Sequence, residues 1–139
     1  MIDFHYETDF SLIDNTKYID WINRIIASEE HLTGDINYIF CDDSYLLNIN
    51  QQYLNHDTYT DIITFDYTDG KVISSDIYIS VERVKENAVD FKVDFDVEML
   101  RVMAHGLLHL AGYKDKSTEE AALMRSKEEE KIKLFHVEH

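Results

Sequence analysis

Apolar and polar residues alternate at the start of the chain, and the spacing then changes to a helical one. Positions 2–6 alternate apolar and polar side chains, which is the period of a half-buried β-strand. From Asn15, apolar residues recur at three- and four-residue intervals through Ile26, and Gly34 follows as a breaker. This pattern predicts a strand and then a helix that ends before Gly34.

The middle of the chain repeats these patterns. Positions 36–40 alternate again and predict a second strand, and Asp43 or Ser44 is expected to cap the helix that follows. The runs DIITFDY and KVISSDIYIS then predict two strands. Because an Asp-Gly pair lies between these runs, we expect them to form a β-hairpin.

Three further helices are predicted after Ser80. The first carries apolar residues through Phe91, and the second begins near Asp94 or Asp96 and ends at Gly112. The last helix opens with STEE, a capping-box signature, and its KEEEK run at 127–131 is expected to be a solvated face. Residues 1–139 are therefore expected to form a single α+β domain, a small mixed sheet of about four strands packed with about five helices.

Composition excludes several classes of protein. The chain has 139 residues, 45% of them hydrophobic, but no run approaches the ~18 apolar residues of a membrane span, and no signal peptide is evident. A cytoplasmic protein without a membrane partner is expected. The net charge of −15 argues against a broad basic surface for nucleic acid, although seven of the thirteen Lys and Arg residues lie from Arg101 onward.

The stretch AHGLLHLAGYKD carries the clearest chemical signal. On a helix, His105 and His109 lie one above the other, roughly 5–6 Å apart at Cβ, so both imidazoles can reach one metal ion. Gly106 costs the helix ~1 kcal/mol relative to alanine, which indicates close approach of another backbone or of substrate. After Gly112 the chain can turn, and Asp115 then offers a third ligand.

This spacing, H-x-x-x-H-x-x-G-x-x-D, matches the metzincin signature in its ligand positions and its glycine. The glutamate that serves those peptidases as general base is replaced by Gly106, so a standard peptidase mechanism lacks its base. The pattern predicts a metzincin-like metal-binding helix whose ion has three protein ligands and a fourth position open to water.

With these residues in view, the chain resembles the YbeY family of bacterial endoribonucleases, whose pattern is H-G-x-L-H-L-x-G-[YF]-D-H. The run HGLLHLAGYKD follows that pattern through Tyr113. A second block, YLNHDTYTDIITF, is similar to the family's L-N-x-x-Y-R-x-x-D-x-P-T-[DN]-V-L-S-F. Further matches are SDIYIS, similar to a family strand, and Met124 in the last helix.

The resemblance implies a zinc-dependent, single-strand-specific endoribonuclease that acts in ribosomal RNA maturation, including the 3′ end of 16S RNA, and in ribosome quality control. Its implied partners are single-stranded or ribosomal RNA and ribosomal or small-subunit assembly proteins. One Zn²⁺ per chain would be held by His105 and His109, with Asp115 at the position of the family's third histidine. These three residues are the predicted catalytic and metal-binding set.

Two departures from the family pattern bear on the chemistry. A carboxylate in place of the third imidazole lowers the charge of the zinc complex from +2 to +1, which should raise the pKa of bound water. The family's arginine in the second block is Leu54 here. If that arginine contacts phosphate in relatives, another cation must replace it, and Arg101, Lys114 and Lys116 are the candidates.

Other interpretations stay open. The chain could be a non-catalytic ribosome-assembly factor with a structural metal, a metal-dependent hydrolase of another bond such as a peptide, or an iron oxygenase with two histidines and one carboxylate. Glu98 could support the site or act as a base, although a solvated Glu98 is expected. His56 could line the groove. Tyr53, Tyr59 and Tyr67 could stack on bases, although at least two are expected in the core.

Overall fold

The computed structural model describes residues 1–54 and 60–136. Within these ranges it contains four strands and five helices, so the expected α+β class with a four-stranded mixed sheet is confirmed. The elements in chain order are β1 (Ile2–Tyr6), α1 (Asn15–Ser28), β2 (Leu32–Cys41), α2 (Asp43–Leu54), β3 (Ile62–Asp66), β4 (Val72–Ser80), α3 (Val81–Phe91), α4 (Phe95–Leu110) and α5 (Thr118–Phe135).

The sheet has the strand order β1-β2-β4-β3. β2 is parallel to both β1 and β4, whereas β3 is antiparallel to β4. The Asp-Gly segment joins β3 to β4 as expected, and Gly70 there has a φ of 58°, which glycine adopts without steric cost. The hairpin prediction is therefore confirmed.

The main core lies between one face of the sheet and helices α1, α4 and α5. Tyr38, Phe40 and Ile77 project from the strands into this core, where Trp21 and Leu107 from the helices are also fully buried. α2 packs on the opposite face around a smaller cluster of Cys41, Leu46 and Ile63. Eleven of the 16 residues of α4 are buried, whereas His105 and His109 are partly exposed. No helix in the described ranges is long and apolar enough to cross a membrane.

Two local predictions in the first half were wrong. Gly34 does not terminate a helix, because α1 already ends at Ser28 and Gly34 lies inside β2. A Cβ on Gly34 would lie 2.3 Å from Ser74 Oγ and 2.8 Å from the Ile73 carbonyl oxygen, so this glycine permits the close approach of β4. Helix α2 is capped by Asp42, whose Oδ1 accepts a 2.8 Å hydrogen bond from the amide of Tyr45.

The predicted starts of the two C-terminal helices and the glycine turn between them are confirmed. α4 begins directly after Asp94, and beyond its end Gly112 adopts a φ of 109°, which reverses the chain. Ser117 and Glu120 form the reciprocal capping box at the start of α5, with both hydrogen bonds at 3.0 Å. The segment between these helices therefore has fixed ends, and Asp115 lies within it.

Candidate metal centre

The histidine pair and the aspartate converge at the C-terminal end of α4. His105 and His109 lie one turn apart, with ring centroids 4.5 Å from each other. After the turn at Gly112, Asp115 folds back so that its Oδ2 lies 3.4 Å from Nε2 of each histidine. One potential ligand atom from each residue lies within 4.8 Å of the others, so the three residues could hold a metal ion. The expected convergence is observed, and the role of these side chains as ligands stays a prediction.

Each imidazole is oriented by a hydrogen bond at its other nitrogen. His105 Nδ1 lies 2.6 Å from Oε2 of Glu128, and His109 Nδ1 lies 2.9 Å from the carbonyl oxygen of Tyr113. Both partners are acceptors, which places a proton on each Nδ1 and leaves the Nε2 lone pairs facing Asp115. Two imidazoles fixed in this way and deprotonated at Nε2 when a metal binds, together with a carboxylate, fit the donor preferences of zinc.

The surroundings of His105 favour a positive charge. Burial alone would lower the pKa of this histidine, but the hydrogen bond to Glu128 and the charges of Glu128, Asp115 and Asp61 outweigh it, so the pKa is raised. The same carboxylates provide a negative field at the point where the Nε2 atoms meet. A divalent cation is therefore the type of ligand that this position suits.

Gly106 explains how α4 lies so close to the sheet. A Cβ at this position would lie 2.9 Å from Cδ1 of Ile62 and 3.5 Å from Cγ2 of Thr64, both on β3. The predicted close approach is therefore present, but side chains of β3 make it rather than a backbone or a substrate. The close approach places the histidines beside β3, next to a cavity in the surface.

The first cavity lies directly over the histidine pair and has a volume of about 480 Å³. Besides the three candidate ligands, its wall includes Asn50, Leu54, Thr60, Asp61 and residues of β3. Leu54 lines this cavity at the position where the family pattern has arginine. The described wall contains no lysine or arginine, so the phosphate-binding cation sought from the sequence is not found here.

A second cavity of about 310 Å³ lies on the other side of His105. Glu98 is part of its wall and is only 3% exposed, so the expectation of a solvated Glu98 was wrong. Its Oε1 lies 3.3 Å from Nε of Arg101, and burial raises its pKa although this guanidinium opposes the rise. Arg101 also contacts Glu128 and Glu129, which makes it a structural cation surrounded by carboxylates.

Glu128 is the site residue that the sequence reading missed, because the KEEEK run was expected to be solvated. Glu128 is 5% exposed and Lys131 is fully buried, so the expectation was wrong for both. A signal was present in the spacing, since Glu128 lies midway between Met124 and Ile132 at four-residue steps and therefore shares their buried face. Because three glutamates follow one another at 128–130, this periodicity is hard to see in the sequence.

Lys131 belongs to a buried network that supports the turn after α4. Its Nζ donates to Ser28 Oγ at 2.9 Å and to Glu29 Oε2 at 2.7 Å. Glu29 in turn accepts a 2.6 Å hydrogen bond from the hydroxyl of Tyr113. Because the carbonyl of Tyr113 accepts from His109, the network connects the end of α1 to the candidate metal centre.

Other sequence candidates lie away from the centre or outside the described residues. Lys114 and Lys116 are exposed and line neither cavity. Tyr53 and Tyr67 are 65% and 60% exposed, so the core expectation was wrong for them, and they also line neither cavity. The remaining candidates of the second block, His56 and Tyr59, fall in the range that the structure does not describe.

The fold and the site together define a class: an α+β protein with an H-x-x-x-H helix and a nearby carboxylate arranged as an open metal centre. A sequence profile described as Endoribonuclease YbeY matches residues 3–136. The chain therefore belongs to the YbeY family, as its motifs indicated.

Named relatives cover nearly the whole chain. A Flavobacterium psychrophilum protein named endoribonuclease YbeY is 64% identical over 137 residues, which cover 99% of this chain and 98% of that one. A Flavobacterium johnsoniae protein of the same name is 62% identical over 138 residues, with 99% of each chain covered. The solution structure of a Thermotoga maritima protein is similar with a TM-score of 0.71 at 28% identity, covering 97% of this chain and 89% of that one.

Proposed function

We propose that this chain is a single-domain, zinc-dependent endoribonuclease that cuts single-stranded RNA during ribosomal RNA maturation. The observation that carries the proposal is the convergence of His105, His109 and Asp115 with both Nε2 atoms directed at one point, in a member of the YbeY family. The names of its relatives support RNA as the substrate. Ribosomal RNA and ribosome-assembly proteins are the partners that this role requires.

Some side chains of the site would bind the metal ion, and others orient those ligands. When bound, a zinc ion supplies a Lewis acid that polarises a water molecule or a phosphoryl oxygen. Glu128 holds the Nδ1 proton of His105, and the Tyr113 carbonyl holds that of His109. Asp115 is 40% exposed, so the three residues leave one side open to the first cavity, where a phosphodiester can enter.

The test is cleavage of a 5′-labelled RNA oligonucleotide, presented single-stranded and annealed to its complement. We expect the zinc-loaded chain to cut the single strand and leave the duplex intact. His109→Ala should lose the activity, whereas His5→Ala should retain it, because His5 lies on β1 and bonds to Asn37 instead. No cleavage of either RNA by the zinc-loaded chain would contradict the proposal.

A second candidate function is a non-catalytic ribosome-assembly factor whose metal is structural. The observation that favours it is the first cavity, where Leu54 replaces the family's arginine and the described wall has no lysine or arginine. This interpretation predicts co-sedimentation with small ribosomal subunits by a chain that cuts no RNA. Cleavage by the purified chain alone would contradict it.

A further inference from the structure

The second cavity adjoins the candidate metal centre rather than lying apart from it. Asp61, His105 and Asp115 contribute to the walls of both cavities. An RNA strand whose phosphodiester lies at the metal centre therefore has a neighbouring nucleotide within reach of the second cavity. Among the described residues, the wall of this cavity contains a phenylalanine and an exposed arginine, whereas that of the first contains neither.

The cation is Arg125 on α5. Among the lysines and arginines that the structure describes, Arg101 and Arg125 are the two that line either cavity. Arg101 is buried and surrounded by carboxylates, whereas the side chain of Arg125 is 54% exposed. The ion pair between Arg125 Nε and Glu129 is long, at 3.9 Å, and Glu129 already accepts a 2.8 Å hydrogen bond from Arg101. The Arg125 guanidinium is therefore available to contact a phosphate.

The aromatic ring is Phe91, the last residue of α3. The helical spacing of α3 placed Phe91 with the buried residues Val84 and Ala88, yet it is 55% exposed and lines the second cavity. Asn87, one turn earlier, lines the same wall and donates a hydrogen bond to Asp61. An exposed ring beside a cation is the combination on which single-stranded nucleic acids stack their bases.

The net negative charge of the second cavity makes the binding of a phosphate there depend on the metal. Its wall contains the carboxylates Asp61, Glu98, Asp115 and Glu128 against the guanidinium groups of Arg101 and Arg125. The excess of two negative charges opposes a phosphate, and one divalent cation at the adjoining centre cancels it. Binding of an RNA phosphate in this cavity should therefore require the metal.

We propose that the second cavity is a nucleotide subsite, in which the base next to the cleaved position stacks on Phe91 while its phosphate contacts Arg125. The subsite rests on the proposed function, since it takes its substrate from the strand at the metal centre. It supplies the cation that the chain lacks at Leu54. Arg125 and Phe91 then bind the substrate, and neither takes part in breaking the phosphodiester bond.

The experiment measures binding of a fluorescein-labelled single-stranded RNA by fluorescence anisotropy over a series of salt concentrations. Arg125→Gln should weaken binding to the zinc-loaded chain about tenfold, and should reduce the slope of log K against log salt by about 0.7, the value for one phosphate contact on a single strand. Lys133→Gln, which removes an exposed charge elsewhere on α5, should change the affinity less than twofold. Removal of the metal should abolish the difference between Arg125→Gln and the unmodified chain.

The aromatic contact is tested in the same assay with two substitutions. Phe91→Leu should weaken binding about fivefold or more at an unchanged salt slope, whereas Phe91→Trp should restore it, because stacking depends on the ring. Val89→Leu on the same helix is the control, since Val89 is exposed and lines neither cavity. In cleavage assays Arg125→Gln and Phe91→Leu should raise KM with little change in kcat.

These experiments distinguish a failure of the proposed subsite from a failure of the proposed function. If the unmodified chain cuts single-stranded RNA while Arg125→Gln and Phe91→Leu bind and cut as it does, the subsite is wrong and the proposed function stands. If the zinc-loaded chain neither binds nor cuts RNA, both proposals are wrong. Zinc content and thermal unfolding of each variant, matched to the unmodified chain, show that a loss of binding is not a loss of fold.

Discussion

At the scale of single residues, the candidate metal centre depends on groups that do not ligate. The Nδ1 atoms of His105 and His109 have an acceptor each, a buried carboxylate for one and a backbone carbonyl for the other. Such partners fix the tautomer and the ring orientation, and they increase the basicity of the ligating nitrogen. The affinity for metal should therefore respond to residues that cannot touch the ion.

Glu128→Gln is the most direct test of that dependence. The substitution keeps the size of the side chain but removes the negative charge of the group that accepts the hydrogen bond from His105 Nδ1, so we expect zinc affinity to fall about 10- to 100-fold. Competition with a chelating dye measures the change. Glu119→Gln, at an exposed position of the same helix, is the matched control and should bind zinc as the unmodified chain does. Equal zinc affinity in the two variants would show that Glu128 does not support metal binding.

Lys131→Met tests the buried network behind the turn. It removes the ammonium group that contacts Glu29 and leaves that carboxylate, which is 11% exposed, with weaker partners. We expect a loss of about 3 kcal/mol in the free energy of unfolding, measured with denaturant. Lys133→Met, at an exposed position two residues away, should cost less than about 0.5 kcal/mol. A Lys131→Met loss as small as this control would contradict the network's role.

The same network has a consequence for acid stability. Burial alone would raise the pKa of Glu29, but hydrogen bonds from Lys131 and Tyr113 outweigh burial, so its pKa is lowered from 4.5. A lowered carboxyl pKa stabilises the fold above the unfolded value, and this contribution is lost as the pH falls through the lower folded value. Unfolding free energies measured from pH 6 down to pH 3 should decline less steeply in Lys131→Met. An identical decline in both proteins would contradict this assignment.

The residue scale also shows where sequence reasoning fails. The convergence of His105, His109 and Asp115 could be predicted because histidine spacing on a helix and a glycine turn just after it are local properties. Glu98, Arg101 and Lys131 could not be placed, because charged residues are rarely buried unless they are paired. Their partners are supplied partly by other elements, and the sequence pattern does not show which elements meet.

At the scale of elements, two glycines set how closely the secondary structure packs. Gly106 allows α4 to approach the side chains of β3, and Gly34 allows β4 to approach β2. Periodicity predicted every helix and strand that the structure describes, because alternation and helical spacing reflect which face is buried. It could not show that Gly34 lies inside a strand, since the neighbour that requires this glycine is 40 residues away, at Ser74.

Gly34→Ala should therefore destabilise the sheet. The added methyl group would overlap Ser74 Oγ and the Ile73 carbonyl, so we expect a loss of about 1–3 kcal/mol in the free energy of unfolding. Gly70→Asn is the control, because asparagine tolerates the positive φ of this turn and nothing lies within 4 Å of an added Cβ. A thermal midpoint for Gly34→Ala equal to that of the control would show that β2 and β4 do not approach as described.

At the scale of the whole molecule, charge is distributed unevenly along the chain. Residues 101–139 contain seven of the thirteen basic residues and seven of the 28 acidic ones, so the entire net charge of −15 arises from residues 1–100. The two candidate histidines, Asp115 and Arg125 all belong to the segment with no net charge. The segment with the candidate metal ligands therefore adds no net negative charge that would repel RNA.

If His105, His109 and Asp115 hold a metal ion, the zinc content of the purified chain should show it. Elemental analysis after exhaustive dialysis should find about one zinc per unmodified chain. Asp115→Ala should retain far less zinc while remaining folded by circular dichroism, and Asp90→Ala, which removes an exposed carboxylate on α3, should retain the full amount. An unmodified chain without zinc, or an Asp115→Ala variant that holds as much zinc as the unmodified chain, would show that these three residues do not form the metal site.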